Sequence, residues 1–417
     1  MTIGIVGLNH LGVVSAITTA YKEYSVIAYD VDAGLISKLQ KGIFPCYEPN
    51  LEILYKENQS RINWTIYPHL LNQCNLIFIT VDTPIDEKNK SNYDSIFWLL
   101  KIITRYIDED IPIIISSQVY PGFTRKISDI LPNPVYYQPE FLIVGNAIEL
   151  SYNPIQIVIG SINSIPKIYR DFLNSFNCPI TQVSFESAEM IKISTNIYLA
   201  AQVAATNTLA EVCENIGADW REIEPTLRRD RRIGSYLIPG LGLSGGHIER
   251  DLETINSIKT VNQITNGVQV NSNHRKNWVN TIICSQLYQN KNINSIAIWG
   301  FTYKPNVNSM KSSPGIYTLN YLHSYSHYDY IKFQTYDPYN IITREDCVSY
   351  TCPEDAVHNA DILCILTADQ QYSKLSLENI KLLMKGNIII DPYGMLNHEE
   401  CTKIGFKHFQ LGVPIYK

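Results

Sequence analysis

The chain has 417 residues, 45% of them hydrophobic, which is more than one hydrophobic core usually accommodates. Lys and Arg number 34 against 40 Asp and Glu, a formal net charge of -6. That balance excludes the global electrostatic footprint of a nucleic-acid binder, so any phosphate must be met locally. No apolar stretch approaches the ~18 residues a membrane span needs, and no basic and then apolar leader precedes the first strand-like run. A cytoplasmic protein without a membrane partner is expected.

Thr2 to Val6 reads as a strand, and GIVGLNHLG carries it into a helical pattern. Gly7 and Gly12 stand at the outer positions of G-x-G-x-x-G in the strand-to-helix context that cradles a dinucleotide, while Asn9 occupies the middle glycine position. The strand VIAYD then ends in Asp30, where a carboxylate accepts from an adenosine ribose and repels a 2′-phosphate. NAD is therefore favoured over NADP. Strand-like runs recur at Leu76 to Val81 and Ile113 to Ser117, with helical patterns between them, which is the grammar of βαβ units.

The stretch Glu186 to Gly217 contains no proline and closes on glycine, so it is predicted to be one long helix. Lys192, Asn196 and Asn207 fall on one face of it at about 100° per residue. Their neighbours Met190, Ile191 and Ile193 are too apolar for a fully solvated helix, which makes this stripe a candidate site. A second set of strand-like runs follows at Ile296 to Trp299, Ile331 to Tyr336, Ile362 to Leu366 and Ile388 to Ile390. The expected fold is α/β, with two Rossmann-like doubly wound domains joined by a long central helix. The expected division is 1–185, 186–285 and 286–417. Nine cysteines are scattered without a C-x-x-C pair, so neither disulfide nor metal site is predicted.

Seven segments, in order, resemble the UDP-glucose/GDP-mannose dehydrogenase family. They are Gly7 to Gly12, FPCYEPNL from Phe44, VDTP from Val81, PEFL from Pro139, AEMIKISTN from Ala188, RIGSYLIPGLG from Arg232 and FTYKPNVNSMKSSP from Phe301. The resemblance implies an NAD-dependent oxidoreductase acting on a nucleotide sugar, a UDP-hexose first of all, in polysaccharide biosynthesis. It implies cofactor contacts at Gly7, Asn9, His10, Leu11, Gly12, Asp30 and Thr83, and at Lys311, which replaces the family's arginine as a point charge. Substrate contacts are implied at Phe141, Leu142, Asn207, Arg232, Tyr236, Gly240, Gly242, Gly245 and Lys304. Arg232 matches an arginine that reaches the substrate of the neighbouring subunit, which implies a homodimer. The glycines of PGLGLSGG read as a flexible loop whose amides lie against sugar and diphosphate.

The resemblance also assigns the chemistry. Lys192 and Asn196 would hold a water and stabilise the oxyanion formed on the sugar. The family's PGFGFGGSCFPKD reads PGLGLSGGHIERD here, so His247 occupies the position of the cysteine nucleophile, while Asp251 persists. Family members oxidise an alcohol twice, the second time through a thioester on that cysteine, and this half requires a thiolate. Gln118 replaces a threonine near the catalytic water, and Val144 replaces the second glutamate of EFLxEG, although Glu140, the first, remains. Tyr393 stands where a later arginine is expected. Equipment for removing a hydride persists and equipment for acyl chemistry is altered, so a two-electron oxidation is expected, with His247 or a held water taking the hydroxyl proton. The alternatives are a four-electron oxidation through an aldehyde hydrate and a non-catalytic binder of NAD or nucleotide sugar.

Overall fold

A computed structural model describes residues 1–83, 91–244, 246–257, 262–324, 328 and 330–414, the side chain at 247 excepted. Two compact units divide it, Met1–Thr195 and Asn196–Lys417.

The first unit is built on eight strands: β1 (Thr2–Val6), β2 (Ser25–Tyr29), β3 (Ile62–Thr65), β4 (Leu76–Ile79), β5 (Ile113–Ile115), β6 (Val135–Tyr137), β7 (Ile157–Gly160) and β8 (Ile180–Val183). Their order is β3-β2-β1-β4-β5-β6-β7-β8. Ile3 pairs with Val26 on one side and Leu76 on the other, so the chain reverses direction of winding between β1 and β4. In a doubly wound sheet this reversal opens a crevice at the carboxyl ends of the strands. Side chains alternate between two cores: Ile3, Ile5, Leu76 and Phe78 enter one, and Val6, Ile77 and Ile79 the other. A sheet buried on both faces needs near-continuous apolar strands, which is why these runs were readable from sequence. The exception to parallel pairing is β6 with β7, joined antiparallel at Tyr137 and Gly160.

The predicted long helix runs from Phe185 to Ile216. Ser184 caps its start, its Oγ accepting from the Ser187 N–H at 3.3 Å. Gly217 stops it with φ +80, a left-handed conformation that suits glycine.

The second unit contains a six-stranded parallel sheet: β9 (Ser295–Trp299), β10 (Lys332–Tyr336), β11 (Cys347–Ser349), β12 (Ile362–Ile365), β13 (Ile388–Ile390) and β14 (Lys407–Phe409). Its order, β11-β10-β9-β12-β13-β14, repeats the winding of the first six strands of the N-terminal sheet. Shorter helices, including His247–Ser257 and Gln263–Lys276, pack within this unit. Ala200 of the long helix packs with Leu243, Leu252 and Val268. The guanidinium of Arg275, 1% exposed, lies 2.9 Å from Glu214 and 3.5 Å from Glu211 of the same long helix. A buried charge needs such partners, so this pair of carboxylates fixes the Gln263–Lys276 helix against the long one.

Among the described residues no helix is long and apolar enough to cross a membrane. All nine cysteines are free thiols, four buried and five half-buried.

Candidate active site

The dinucleotide loop of the first unit is shaped by glycine where nothing larger fits. Gly7 has φ +93, and a Cβ there would stand 2.7 Å from the Val81 side chain. A Cβ on Gly12 would stand 1.9 Å from the Gly7 carbonyl oxygen. Asp30 closes the crevice at the end of β2; its Oδ2 accepts from the Leu8 N–H at 2.8 Å and its Oδ1 from Asp32 at 3.0 Å. Asn9 is tied down. Its Oδ1 caps the His10–Tyr21 helix by accepting from the Gly12 N–H at 3.1 Å, and its Nδ2 donates to the Thr80 carbonyl at 2.9 Å. The glycine cradle and the ribose-side carboxylate fit NAD. Asn9, however, occupies an amide at the helix start, where pyrophosphate oxygens are usually met. Thr83 is buried and its Oγ1 donates to the Gln118 carbonyl at 3.2 Å, which joins a predicted cofactor residue to a predicted catalytic one.

Further along the strand ends, Glu140, Phe141 and Leu142 line a cavity of about 250 Å³ with Leu11, Thr18 and Ser116. Glu140 keeps some surface on the cavity wall, yet protein surrounds it. Desolvation pushes its carboxyl up to about 7, against the pull of the Lys192 charge, the Leu142 amide and His10. The Lys192 Nζ lies 5.2 Å from the centre of the Phe141 ring. His10, Glu140 and Lys192, placed far apart in sequence, thus belong to one electrostatic neighbourhood. Cys46 lies in the FPCYEPNL segment, where burial and then the Glu48 charge push its thiol up to about 12. It supplies no thiolate near neutral pH.

In the sequence Glu48 stands out only as part of the FPCYEPNL segment. In the structure its side chain is fully buried and gathers three partners. It accepts from the Gly145 N–H at 2.7 Å and the Ala147 N–H at 3.0 Å, and its Oε1 lies 2.8 Å from His10 Nε2. Its amide partners stand 97 and 99 residues away, a separation that no local pattern reveals.

A second cluster forms within the other unit. Asn196 Nδ2 donates to Asp251 Oδ2 at 2.6 Å, and Asp251 is 2% exposed. Asn207, 1% exposed, accepts from the Gly240 N–H at 2.8 Å while its Nδ2 is buried without a hydrogen-bond partner. These two amides of the long helix therefore hold opposite ends of the Gly240 to Asp251 stretch. Gly242, with φ +76, packs so closely on Ser272 that a Cβ would meet its carbonyl at 2.5 Å. Gly245 lies outside the described residues. The glycine-rich run ends at Gly246, and His247 is not a loop residue but the first residue of the His247–Ser257 helix. Its side chain is also outside the described set. Glu249, where the family's segment has proline, reaches back to the Gly246 N–H at 2.9 Å and meets Lys276 Nζ at 3.0 Å. This side-chain cap on the Gly246 amide, followed by the first helical bond from the Arg250 N–H to the Gly246 carbonyl at 3.2 Å, explains why a helix starts here. A Cβ on Gly246 would lie 3.0 Å from the Lys311 side chain, so the predicted anion-binding lysine borders the loop.

Of the other expected substrate residues in this unit, Arg232 and Tyr236 are exposed. Arg232 is turned out, its side chain 87% exposed and paired with its neighbour Asp230 at 2.5 Å. Tyr236 is 45% exposed, and its carbonyl accepts from Thr206 at 2.8 Å. Lys304 Nζ lies 5.6 Å from the ring centre of Tyr303.

Comparison with known proteins returns one family in three consecutive pieces. Residues 1–172 match the NAD binding domain of the UDP-glucose/GDP-mannose dehydrogenase family, 186–274 its central domain and 297–398 its UDP binding domain. The UDP-glucose 6-dehydrogenase of Rickettsia bellii is 29% identical over 441 residues, covering 100% of both chains. The Bacillus subtilis UDP-glucose 6-dehydrogenase YwqF is 27% identical over 448 residues, covering 99% of this chain and 98% of its own. Among solved structures, a UDP-D-ManNAc dehydrogenase from Pyrococcus horikoshii superimposes with a TM-score of 0.87 at 21% identity, covering 99% of each chain. A UDP-glucose dehydrogenase from Pyrobaculum islandicum gives 0.86 at 20%, covering 99% of this chain and 98% of the other. These two likenesses show the fold.

Proposed function

This chain belongs to the UDP-glucose/GDP-mannose dehydrogenase family, and from that premise we propose that it oxidises a UDP-linked hexose by two electrons, releasing an aldehyde or ketone. When bound, NAD supplies the acceptor for the hydrogen removed from carbon. Gly7, His10, Leu11, Gly12, Asp30 and Thr83 would hold it in the N-terminal crevice, with Lys311 as a further anion contact. Glu140 is the observation that carries the reading. A carboxyl at about 7 is ready to take a hydroxyl proton at neutral pH, and Lys192 supplies positive charge to the alkoxide that results. Asn196, its amide orientation set by Asp251, positions the reacting oxygen or its water. By the resemblance, Asn207, Gly240, Gly242 and Lys304 would contact the sugar and diphosphate from the second unit, and Phe141 and Leu142 from the first.

The restriction to two electrons rests on His247 in place of cysteine and on Cys46 remaining a neutral thiol. An acyl-imidazole is too labile to replace the thioester. The exposed Arg232 suits a contact with a second copy in a homodimer, and nine free thiols suit the reducing cytoplasm. The test is the number of NADH formed per sugar consumed across UDP- and GDP-hexoses, with the product identified by mass. One NADH and a carbonyl sugar are expected. Two NADH and a uronic acid would overturn the two-electron reading, and NAD binding without turnover on any sugar would favour a non-catalytic binder.

A further inference from the structure

Glu48 joins three stretches of the first unit: its own segment, the start of the His10–Tyr21 helix and the turn that follows Glu140. Its side chain is fully buried, and three donors converge on it: the Gly145 amide at 2.7 Å, the Ala147 amide at 3.0 Å and His10 Nε2 at 2.8 Å. A carboxylate offers only acceptors, so the imidazole presents its Nε2–H to it. His10 opens the helix that leaves the dinucleotide loop, and Asn9 before it is pinned to Gly12 and Thr80. On the other side, hydrogen bonds run step by step back to Glu140. The Leu142 amide donates to the Glu140 carboxyl, and the Asn146 amide to the Ile143 carbonyl at 2.8 Å. Gly145 takes φ +86, which lets this turn close. Further on, Thr18 and Ser151 tie the same two helices together, hydroxyl to hydroxyl at 2.8 Å. A cap for the short Ala147–Tyr152 helix would need the Ala147 bond alone. The bonds to Gly145 and His10 extend the grip to the turn and to the nucleotide loop.

We propose that Glu48 is a positioning residue for the oxidation: it locks the loop of Glu140 to the nucleotide loop, so that the base stands in one place relative to the bound cofactor. The proposal rests on the reading of Glu140 as the base. Being fully buried, Glu48 reaches neither substrate nor cofactor and acts through Gly145, Ala147 and His10. Removal of a proton and a hydride from one alcohol requires base and acceptor to be held together, and a misplacement of about 1 Å costs on the order of 100-fold. The base's loop and the cofactor's loop lie far apart in the chain, and one carboxylate sets their register.

The test uses the full chain with Glu48→Gln. The amide keeps the shape of the side chain but sets an NH2 group against a donor, so at least one of the bonds to Gly145, Ala147 and His10 must open. NAD-binding sites are counted by calorimetric titration, and turnover of a UDP-hexose is expressed per site. Turnover per site should fall on the order of 10- to 100-fold, with KM for sugar and NAD within about threefold of wild type. The rising limb of the pH profile near 7 should remain, because the base itself is unchanged. Loss of folded chain alone would lower the number of sites and leave turnover per site as it was. That result overturns the proposal, and so does a loss carried by KM with kcat unchanged. Amide hydrogen exchange on the wild-type chain needs neither the variant nor turnover. Saturating NAD should slow the Gly145 and Ala147 amides on the order of tenfold beyond the core amides of β5, which report global stabilisation. Exchange at these two amides that follows β5 overturns the proposal, whether or not the variant folds. A wild-type chain that binds NAD and oxidises no sugar would refute the functional reading instead, and the exchange measurement would decide the register by itself.

Discussion

Asn196 donates its side-chain amide hydrogen to Asp251 across 2.6 Å, and the two residues stand 55 positions apart in the chain. The acceptor is almost fully buried, so the bond fixes which edge of the amide each atom presents.

Replacing Asp251 with alanine should strand that amide and lower stability by about 1–3 kcal/mol, the range for a buried donor left unmade. Turnover should fall further than stability alone explains, because Asn196 loses its orientation. Asp251→Asn retains an acceptor and should melt closer to wild type. Calorimetry on the two variants checks this, and an alanine variant with an unchanged melting temperature would sink the argument.

The Glu140 carboxyl, at about 7, predicts a rising limb of kcat/KM with pH centred near 7, because the base must be ionised to accept a proton. Glu140→Gln should abolish this limb and cost on the order of 100-fold in turnover or more. Folding is linked with the opposite slope. The unfolded carboxyl titrates at 4.5 and the folded one near 7, so the folded chain binds the extra proton between these values. The stability that this proton confers is complete below 4.5 and is lost as pH climbs through 7. Glu140→Gln should accordingly gain about 3 kcal/mol over wild type at pH 8 and nothing at pH 4. Denaturant titrations at the two pH values read this directly.

His247→Cys should raise the NADH formed per sugar from one toward two, with a uronic acid appearing in the product. The new thiol would sit at the first position of the His247–Ser257 helix, where the helix dipole favours a thiolate. A ratio that stays at one would mean that Gln118 and Val144 block acyl hydrolysis as well.

Asn9→Gly should bind NAD more tightly, by roughly 3- to 10-fold, because it releases the Gly12 N–H to the pyrophosphate. Losing the cap should cost only a few tenths of a kcal/mol, the usual difference between Asn and Gly there. Gly12→Ala is the opposite case: with a carbonyl 1.9 Å from the new methyl, the loop must open and NAD binding should vanish. Isothermal titration on the three proteins compares them.

Glu249→Ala removes both the Gly246 cap and the partner of Lys276, and should destabilise by about 1 kcal/mol. Lys276→Met should cost less, because the cap survives.

The long helix was legible because its signals are local: no proline from Glu186 to Gly217 and a glycine to close it. The strands read from sequence were those with apolar residues facing both layers, such as β1, β4 and β9. The three-residue strands β6, β11 and β14 lack the isoleucine run that made the equally short β5 and β13 readable, and β8 is largely exposed. In the candidate site, Lys192 and Asn196 announced themselves through helical spacing on an apolar helix. Glu48 did not, because a carboxylate between an aromatic and a proline looks like surface until its distant amide partners close on it. The start of a helix at His247 was hidden for another reason: the capping glutamate replaces a proline, and the glycine run masks the transition.

The unbroken helix from Phe185 to Ile216 also acts as a ruler. It carries Asn196 and Asn207 at fixed phase, and Asn207 must meet the Gly240 amide. One residue inserted between Asn196 and Asn207 would turn everything beyond it by about 100° and push it about 1.5 Å along the axis. Four residues would nearly restore the phase but displace the amide by about 6 Å. Substitution can be absorbed here and a change of length cannot, so this segment should be closed to insertions and deletions even where its individual side chains are free to vary.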